Sequence, residues 1–466
     1  MRIDPKAIPG MKVTVMGLGI NGGGLASAQF FARRGAEVTV SDLRGREALA
    51  VSLAALEGLP VRLVLGRHEQ GDFEKADLVV KNPAVSPGSP FLQSARDHGA
   101  AVETDLSIFL ALAKNPILAV TGSKGKSTTA SAIAFGLARV DPGTKLGGNI
   151  AVSPLSFLDE LRGGAPVVLE LSSWQLGDLR GRGLLTPVVS AFTVILPDHL
   201  DRYPGMAEYV SDKKAIFQEQ QPGAKAVFNL DDPWQREFPR ETRATSCFYS
   251  AGPLPDGLRG AWLEGCEGRA LIAEGKKAPA AILGSTRVPG AHNRMNLLCA
   301  GLALHLFGVK AEVVRKALAE FPGVEHRMEM FREWKGIRFY NDSAATIPHA
   351  TAAAVRTLEP PLVLVAGGTD KNLDFSPLRG LARKPDAIVL LAGTATEKIR
   401  ALLDEEGVAS EGPFDRLGPA VEAAIARARA GGAVLFSPGC ASFGMFLNEF
   451  DRGSTFKRTV LELTQP

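Results

Sequence analysis

The stretch Thr121-Gly122-Ser123-Lys124-Gly125-Lys126-Ser127-Thr128-Thr129 follows the apolar run Leu118-Ala119-Val120 and precedes a helical pattern reaching about Val140. A buried strand, a glycine-rich turn and a helix in that order commit this part of the chain to an α/β layer with a ligand edge at the strand's carboxyl end. Gly122 and Gly125 let the backbone turn its N–H groups toward phosphate. Lys126 supplies a point charge, and Ser127 can offer its hydroxyl to magnesium. The loop is a shortened form, with only Ser123 and Lys124 between its first glycine and the Gly-Lys pair where the standard motif has four residues. ATP binding is the first inference.

At 466 residues the chain is too long for one ordinary core, and about 150 residues per domain suggests about three domains. Apolar content of 45% and charged content of 22% are those of a soluble globular protein. A net charge of +3 without basic blocks argues against nucleic acid and membrane surfaces as partners. Cys247, Cys266, Cys299 and Cys440 are scattered without CxxC spacing, so neither a zinc site nor a disulfide framework is expected, as suits a reducing cytoplasm. The start of the chain lacks the apolar core of a signal peptide, and no run reaches the length of a membrane span. The expectation is a cytoplasmic monomer acting on small molecules.

Residues 11–16 read as a strand, followed by Gly17-Leu18-Gly19-Ile20-Asn21-Gly22, a helix through Arg34, and a second strand ending at Asp42. This is a dinucleotide-type GxGxxG fingerprint, in which Gly19 permits close approach of a diphosphate and Asp42 can accept from a ribose hydroxyl. NAD and a UDP-sugar both fit it. A nicotinamide-dependent oxidoreductase is therefore one alternative, although it leaves the second phosphate loop unexplained. Further on, Asn82 to Pro90 carries three prolines and forms a rigid rim after a strand.

Val167 to Ser173 reads as a buried strand whose carboxylate, Glu170, needs a cationic partner. A second apolar strand, Val188 to Leu196, ends at Pro197-Asp198-His199-Leu200-Asp201-Arg202, which reads as a metal and phosphate edge. On the helix that follows, the adjacent Lys213 and Lys214 lie roughly 100° apart, so only one can face that edge. From Arg243 to Arg287 the pattern suggests antiparallel strands at a sheet edge, and Gly290 to Asn296 precedes a long Leu/Ala helix. From Gly323 onward, strands alternate with polar loops and helices, and loops at Ala344 to Thr346, Thr369 to Lys371 and Cys440 to Ser442 form the expected second-substrate site.

Taken in order, these motifs resemble the Mur ligase family over nearly the whole chain. The shortened loop is similar to that family's Thr-Gly-(Thr/Ser)-Asn-Gly-Lys-(Ser/Thr) signature. Ser86-Pro87-Gly88, Leu169 to Leu176, Asp198 to Pro204 and Ser437 to Ser442 match its further motifs. The resemblance implies three α/β domains: an N-terminal Rossmann-like UDP-binding domain over 1–109, a central P-loop ATPase-type domain over 110–323, and a C-terminal Rossmann-like domain over 324–466. It implies ATP-dependent addition of D-glutamate to UDP-N-acetylmuramoyl-L-alanine through an acyl phosphate, with ATP and magnesium required.

By the same resemblance, Gly19, Ile20, Asn21, Asp42, Ser86, Pro87, Gly88 and Asn149 meet the UDP substrate. Gly122, Ser123, Lys124, Gly125, Lys126, Ser127, Thr128, Asn293, Asn296, Arg327 and Asp342 meet ATP. Ser127, Glu170, His199 and a carbamylated Lys213 hold magnesium, and Lys126, Glu170, His199 and Lys213 are the catalytic set. Thr346, Lys371, Ser442 and Phe443 hold glutamate. Three places depart from the family pattern: Lys124 replaces the loop asparagine, Ala344 stands where a lysine is frequent, and Gly444 and Leu447 replace a polar pair. L-glutamate or another acidic amino acid therefore stays open as the second substrate, as does a nucleotide-binding protein without activity.

Overall fold

The computed structural model describes residues 4–19, 22–149, 152–198, 203–272, 278–370, 373–380, 384–442 and 444–465. The first sheet holds β1 (Lys12–Met16), β2 (Glu37–Asp42), β3 (Val61–Leu65), β4 (Leu78–Lys81) and β5 (Ala101–Glu103), all parallel in the order β3-β2-β1-β4-β5. β1 and β4 are buried on both faces, which is why they read as near-continuous apolar runs. The strand order reverses between β1 and β4. Ligands bind at such a switch point in open α/β sheets, and here the glycine turn after β1 meets the loop after β4. The two are packed tightly, since a Cβ on Gly17 would lie 3.0 Å from Asn82 Cβ.

The second sheet runs β14-β13-β12-β11-β10-β9-β6-β8-β7. Its strands are β6 (Ile117–Thr121), β7 (Lys145–Gly148), β8 (Val167–Glu170), β9 (Val189–Phe192), β10 (Lys225–Asn229), β11 (Thr245–Ser250), β12 (Gly260–Glu264), β13 (Glu267–Leu271) and β14 (Ala280–Leu283). β6 lies parallel between β8 and β9, so the carboxyl ends of all three share one edge. The antiparallel pattern expected over Arg243 to Arg287 holds only for β12, β13 and β14; β11 and β12 extend the parallel sheet. The Gly265-Cys266 turn is too short for anything but a hairpin, whereas the long connection from β10 to β11 permits a parallel return.

The third sheet, β15 (Glu329–Trp334), β16 (Ile337–Asn341), β17 (Leu362–Ala366), β18 (Ala387–Leu391), β19 (Glu411–Phe414) and β20 (Ala433–Phe436), has the order β15-β16-β20-β17-β18-β19. Only its β15 edge is antiparallel, closed by Lys335 and Gly336, both at positive φ as a tight hairpin requires.

The chain forms two compact units, one of residues 1–285 with 295–319 and one of 286–294 with 320–466. The first two sheets thus belong to a single unit and share an apolar core, in which Phe109 meets Phe157 edge-on at 5.8 Å. Cys247, Cys299 and Cys440 are buried, Cys266 is exposed in the β12–β13 turn, and none is in a disulfide. Among the described residues no helix is long and apolar enough to cross a membrane.

Candidate active site

The phosphate loop leaves β6 in a backbone conformation that only glycine takes without strain. Gly122 has φ +144°, and a Cβ there would lie 1.9 Å from Thr193 Oγ1 at the end of β9. Gly125 has φ +87°, and its Cβ would lie 2.2 Å from Asn296 Oδ1. Between them Ser123 is pinned: its N–H donates to the Val194 carbonyl at 2.6 Å, and its Oγ meets Tyr209 Oη at 2.9 Å. The helix Lys126–Leu137 then starts with no side-chain cap on Gly125, and Thr128 is buried in its first turn beside half-buried Ser127. Uncapped first-turn N–H groups and the helix dipole together favour an anion. Lys126 folds back over the loop, its Nζ donating to the carbonyls of Gly122 and Ser123 at 3.0 Å each.

Glu170 closes β8 next door and is 2% exposed. Asn149 holds it twice, by Nδ2 to Oε1 at 2.9 Å and by its backbone N–H to the Glu170 carbonyl at 2.7 Å. That approach needs Gly148 at φ +99°, because a Cβ there would lie 2.3 Å from the Glu170 carbonyl oxygen. Among the described residues Glu170 Oε2 has no hydrogen-bond partner. A buried carboxylate oxygen without a donor is costly, so this position fits a hard divalent cation.

Lys213 is the lysine that turns inward from the helix Met206–Gln218, at 1% exposed. Its Nζ donates to the Gly122 carbonyl at 2.9 Å and sits 4.6 Å from the Tyr209 ring centroid. Burial first, and the neighbouring charge of Lys126 second, push its ammonium well below the ordinary lysine range. Lys214 instead pairs with Glu241 at 2.6 Å. The helical spacing thus resolves as expected, with one lysine in and one out. Lys124 extends to Asp198 Oδ2 at 3.2 Å on the rim of the loop.

At the first sheet's switch point, Gly19 N–H donates to Asp42 Oδ2 at 3.2 Å, and Ser52 Oγ donates to the Gly19 carbonyl at 2.8 Å. Asp42 also accepts from the Arg44 backbone at 2.9 Å and is 3% exposed, so this carboxylate shapes the glycine turn as well as being available to a ligand hydroxyl. Ser86, Pro87 and Gly88 are exposed on the loop after β4. Ile20, Asn21, His199, Lys371 and Phe443 lie outside the described residues.

Comparison with known proteins decides the family. Residues 11–104 match the Mur ligase MurD-like N-terminal domain, 120–304 the Mur ligase middle domain, and 326–440 the Mur ligase glutamate ligase domain. The chain belongs to the Mur ligase family. It is 44% identical to the UDP-N-acetylmuramoylalanine--D-glutamate ligase of Roseiflexus sp. (strain RS-1), over 98% of this chain and 100% of that one. The enzyme of the same name from Treponema pallidum is 38% identical over 97% and 98%. Among solved structures, the fold is similar to UDP-N-acetylmuramate-alanine ligase MurC from Thermotoga maritima, with TM-score 0.62, 22% identity, and coverage of 97% of this chain and 100% of that one. It is also similar to a MurF ligase from Thermotoga maritima in complex with ADP, with TM-score 0.57, 18% identity and coverage of 99% and 97%.

In this Mur ligase, Asn293 and Asn296 do not precede the long helix but lie within it, since Gly290 at φ +99° breaks the chain and the helix Ala291–Leu306 begins directly after it. Asn293 Nδ2 bonds back to the Pro289 carbonyl at 2.8 Å. In the second unit Asp342 follows β16 and is 7% exposed, with Oδ2 accepting from Ser437 Oγ at 2.7 Å and Oδ1 from the Met328 N–H at 3.1 Å. Burial pushes its carboxyl up to about 7, against the pull of the Ser437 and Met328 hydrogen bonds and then of the Arg327 charge. Thr346 is half-buried and Ser442 buried on neighbouring loops of the same sheet.

One organising residue of that sheet escaped the sequence reading. Arg452 is 1% exposed, and its guanidinium donates to the Ser343 carbonyl at 2.7 Å, Ser343 Oγ at 3.0 Å and the Cys440 carbonyl at 3.0 Å. It ties the loop after β16 to the loop after β20. The one available signal is the Arg452-Gly453 pair, where Gly453 admits the buried His326: a Cβ there would lie 2.2 Å from its Nδ1.

Proposed function

We propose that this chain joins D-glutamate to the L-alanine carboxylate of UDP-N-acetylmuramoyl-L-alanine at the expense of ATP, and that its domains are 1–109, 110–323 and 324–466. The observation that carries the reading is the buried Oε2 of Glu170, without a hydrogen-bond partner among the described residues, on the sheet edge shared with the phosphate loop and with a buried Lys213 whose ammonium is held well below the ordinary lysine range. Full-length relatives named for this ligation support it.

The chemical problem is that a carboxylate resists attack by an amine. Transfer of the γ-phosphoryl group from ATP to an L-alanine carboxylate oxygen, with departure of ADP, makes an acyl phosphate. The amino group of glutamate then attacks the carbonyl carbon, loses its proton, and phosphate leaves. Lys126 and the loop N–H groups bind and orient the triphosphate, with Ser123, Lys124, Gly125 and Thr128 forming the cradle and Asn293, Asn296, Arg327 and Asp342 the remaining ATP contacts. Magnesium, held by Ser127, Glu170, His199 and a carbamylated Lys213, supplies charge neutralisation at the phosphoryl oxygens when bound. Asn149 orients Glu170. Gly19, Ile20, Asn21, Asp42 and Ser86 to Gly88 hold the UDP end, while Thr346, Lys371, Ser442 and Phe443 receive glutamate.

This reading suits a cytoplasmic monomer, in the compartment that supplies ATP and keeps thiols reduced. It is tested by incubating the protein with ATP, magnesium, UDP-N-acetylmuramoyl-L-alanine and each glutamate enantiomer separately. Phosphate release and a product of the expected mass with D-glutamate alone are the expected result. Product with L-glutamate alone would reassign the second substrate, and product with neither would overturn the reading.

A further inference from the structure

The short helix Ser173–Leu179 touches parts of the molecule assigned above to different ligands. It starts three residues after Glu170 and is fixed there by a capping box between Ser172 and Gln175. Near its other end Asp178 Oδ2 accepts from Lys81 Nζ at 2.6 Å. Lys81 is the last residue of β4 and only 5% exposed, and its Nζ also reaches the Val85 carbonyl at 3.5 Å, immediately before Ser86-Pro87-Gly88. Gly177, beside Asp178, lies against the helix that carries Lys213: a Cβ there would lie 2.6 Å from Asp212 Oδ2. Asp212 is itself held by Tyr203 Oη at 3.0 Å and by Arg180 at 3.3 Å.

A continuous set of contacts thus runs from the loop after β4, through one helix, to the residue next to Lys213. A buried ion pair is weak evidence for stability, because desolvation offsets the attraction. Its geometric effect is to fix one element against another. The same seam holds a second, partly buried contact in the same sense, Glu103 to Arg182 at 2.6 Å, between the end of β5 and the residues after this helix. We propose that Lys81 and Asp178 are positioning residues for the ligation: their pair sets the Ser86–Gly88 loop relative to the Glu170 and Lys213 edge, so that a substrate held by its UDP end presents its carboxylate in register with the phosphate loop. The inference rests on the reading of that loop as the UDP seat.

The test is steady-state kinetics of Lys81→Met, Lys81→Arg, Asp178→Asn and the double variant Lys81→Met/Asp178→Leu, whose apolar pair fills the seam without leaving a buried charge. For Lys81→Met and Asp178→Asn, the KM for UDP-N-acetylmuramoyl-L-alanine is expected to rise and its kcat/KM to fall about tenfold or more, since its UDP seat is displaced and a small misplacement of a reacting group is expensive in rate. The KM values for ATP and glutamate stay within about twofold of wild type, and Lys81→Arg recovers most of the loss. The double variant is expected to be no worse than either single one, as for residues acting as a unit. It also serves if a single variant fails to fold, a raised KM for the UDP substrate with native melting being the expected outcome. Equal shifts in all three KM values, additive effects, or lowered melting temperature with unchanged kinetics would overturn the proposal. A wild-type protein without product with either glutamate defeats the ligase reading instead, whereas an active wild type with unchanged Lys81→Met kinetics defeats this inference alone.

Discussion

Asn149 grips Glu170 through both main chain and side chain, at 2.7 and 2.9 Å, and leaves Oε2 as the carboxylate oxygen with no partner among the described residues. Glu170→Gln keeps the shape and removes the charge. Its kcat is expected to fall about 100-fold or more, the scale of a lost electrostatic contact to the reacting groups. Asn149→Ala keeps the charge and loses the support, so the magnesium concentration for half-maximal rate should rise about tenfold. A magnesium titration of phosphate release measures both.

Gly122→Ala places a methyl group where Thr193 Oγ1 already stands, on a backbone at φ +144°. The expected destabilisation is about 2–3 kcal/mol, with loss of binding to a non-hydrolysable ATP analogue. Adding Thr193→Ala removes the clashing oxygen but not the backbone strain, so only part of the melting temperature should return. Full recovery would show that the clash alone, not the positive φ, sets the cost.

Lys213 is buried and held toward its neutral form, the state in which an amine can add carbon dioxide. Activity is expected to drop severalfold in carbon dioxide-depleted buffer and to return with bicarbonate. Native mass spectrometry should show a chain heavier by one carbon dioxide, absent in Lys213→Arg. Full activity of an unmodified chain would remove the carbamate from the site.

Asp342 carries a carboxyl pushed up to about 7 by burial. Between the ordinary carboxylate range and that value, the folded protein keeps a proton that the unfolded chain releases. Stability should therefore fall as pH rises through this window and level off above it. Asp342→Asn should flatten the slope, which is worth up to roughly 4 kcal/mol at 1.36 kcal/mol per unit. Denaturant midpoints for the second unit at about pH 5 and about pH 8 provide the comparison.

Lys124 is 58% exposed and its partner Asp198 28% exposed, so their 3.2 Å pair adds little to stability. Lys124→Asn is expected to melt within a degree or two of wild type but to raise the KM for ATP, if this lysine supplies phosphate-facing charge that Ala344 does not. An unchanged KM for ATP and unchanged turnover would show that Lys124 is not compensating.

The phosphate loop was legible in sequence because strand, glycines and helix are local. Glu170 was legible because a carboxylate inside an apolar strand demands a partner. The choice of Lys213 over Lys214 was legible only through the family resemblance, and its physical cause was not, since a helix fixes only the angle between them and tertiary burial decides which turns inward. Neither was the fit of Gly122 to Thr193 or of Ser123 to Tyr209, which joins residues far apart in the chain. Arg452 was missed for the same reason: its acceptors are carbonyls, which sequence does not distinguish. Asn293 and Asn296 were expected ahead of their helix because Gly290 punctuates the chain earlier than the apolar pattern begins.

The unequal burial of the four thiols makes the chain a chemical clock for its own opening. A thiol reagent acting on the native protein reaches Cys266 first, in the turn between β12 and β13, well removed from β6 along the sheet. Cys247 and Cys299 belong to one compact unit and Cys440 to the other, so their labelling rates time the opening of each unit separately. Slower labelling of Cys440 on adding glutamate, with Cys247 unmoved, would register ligand binding without any turnover.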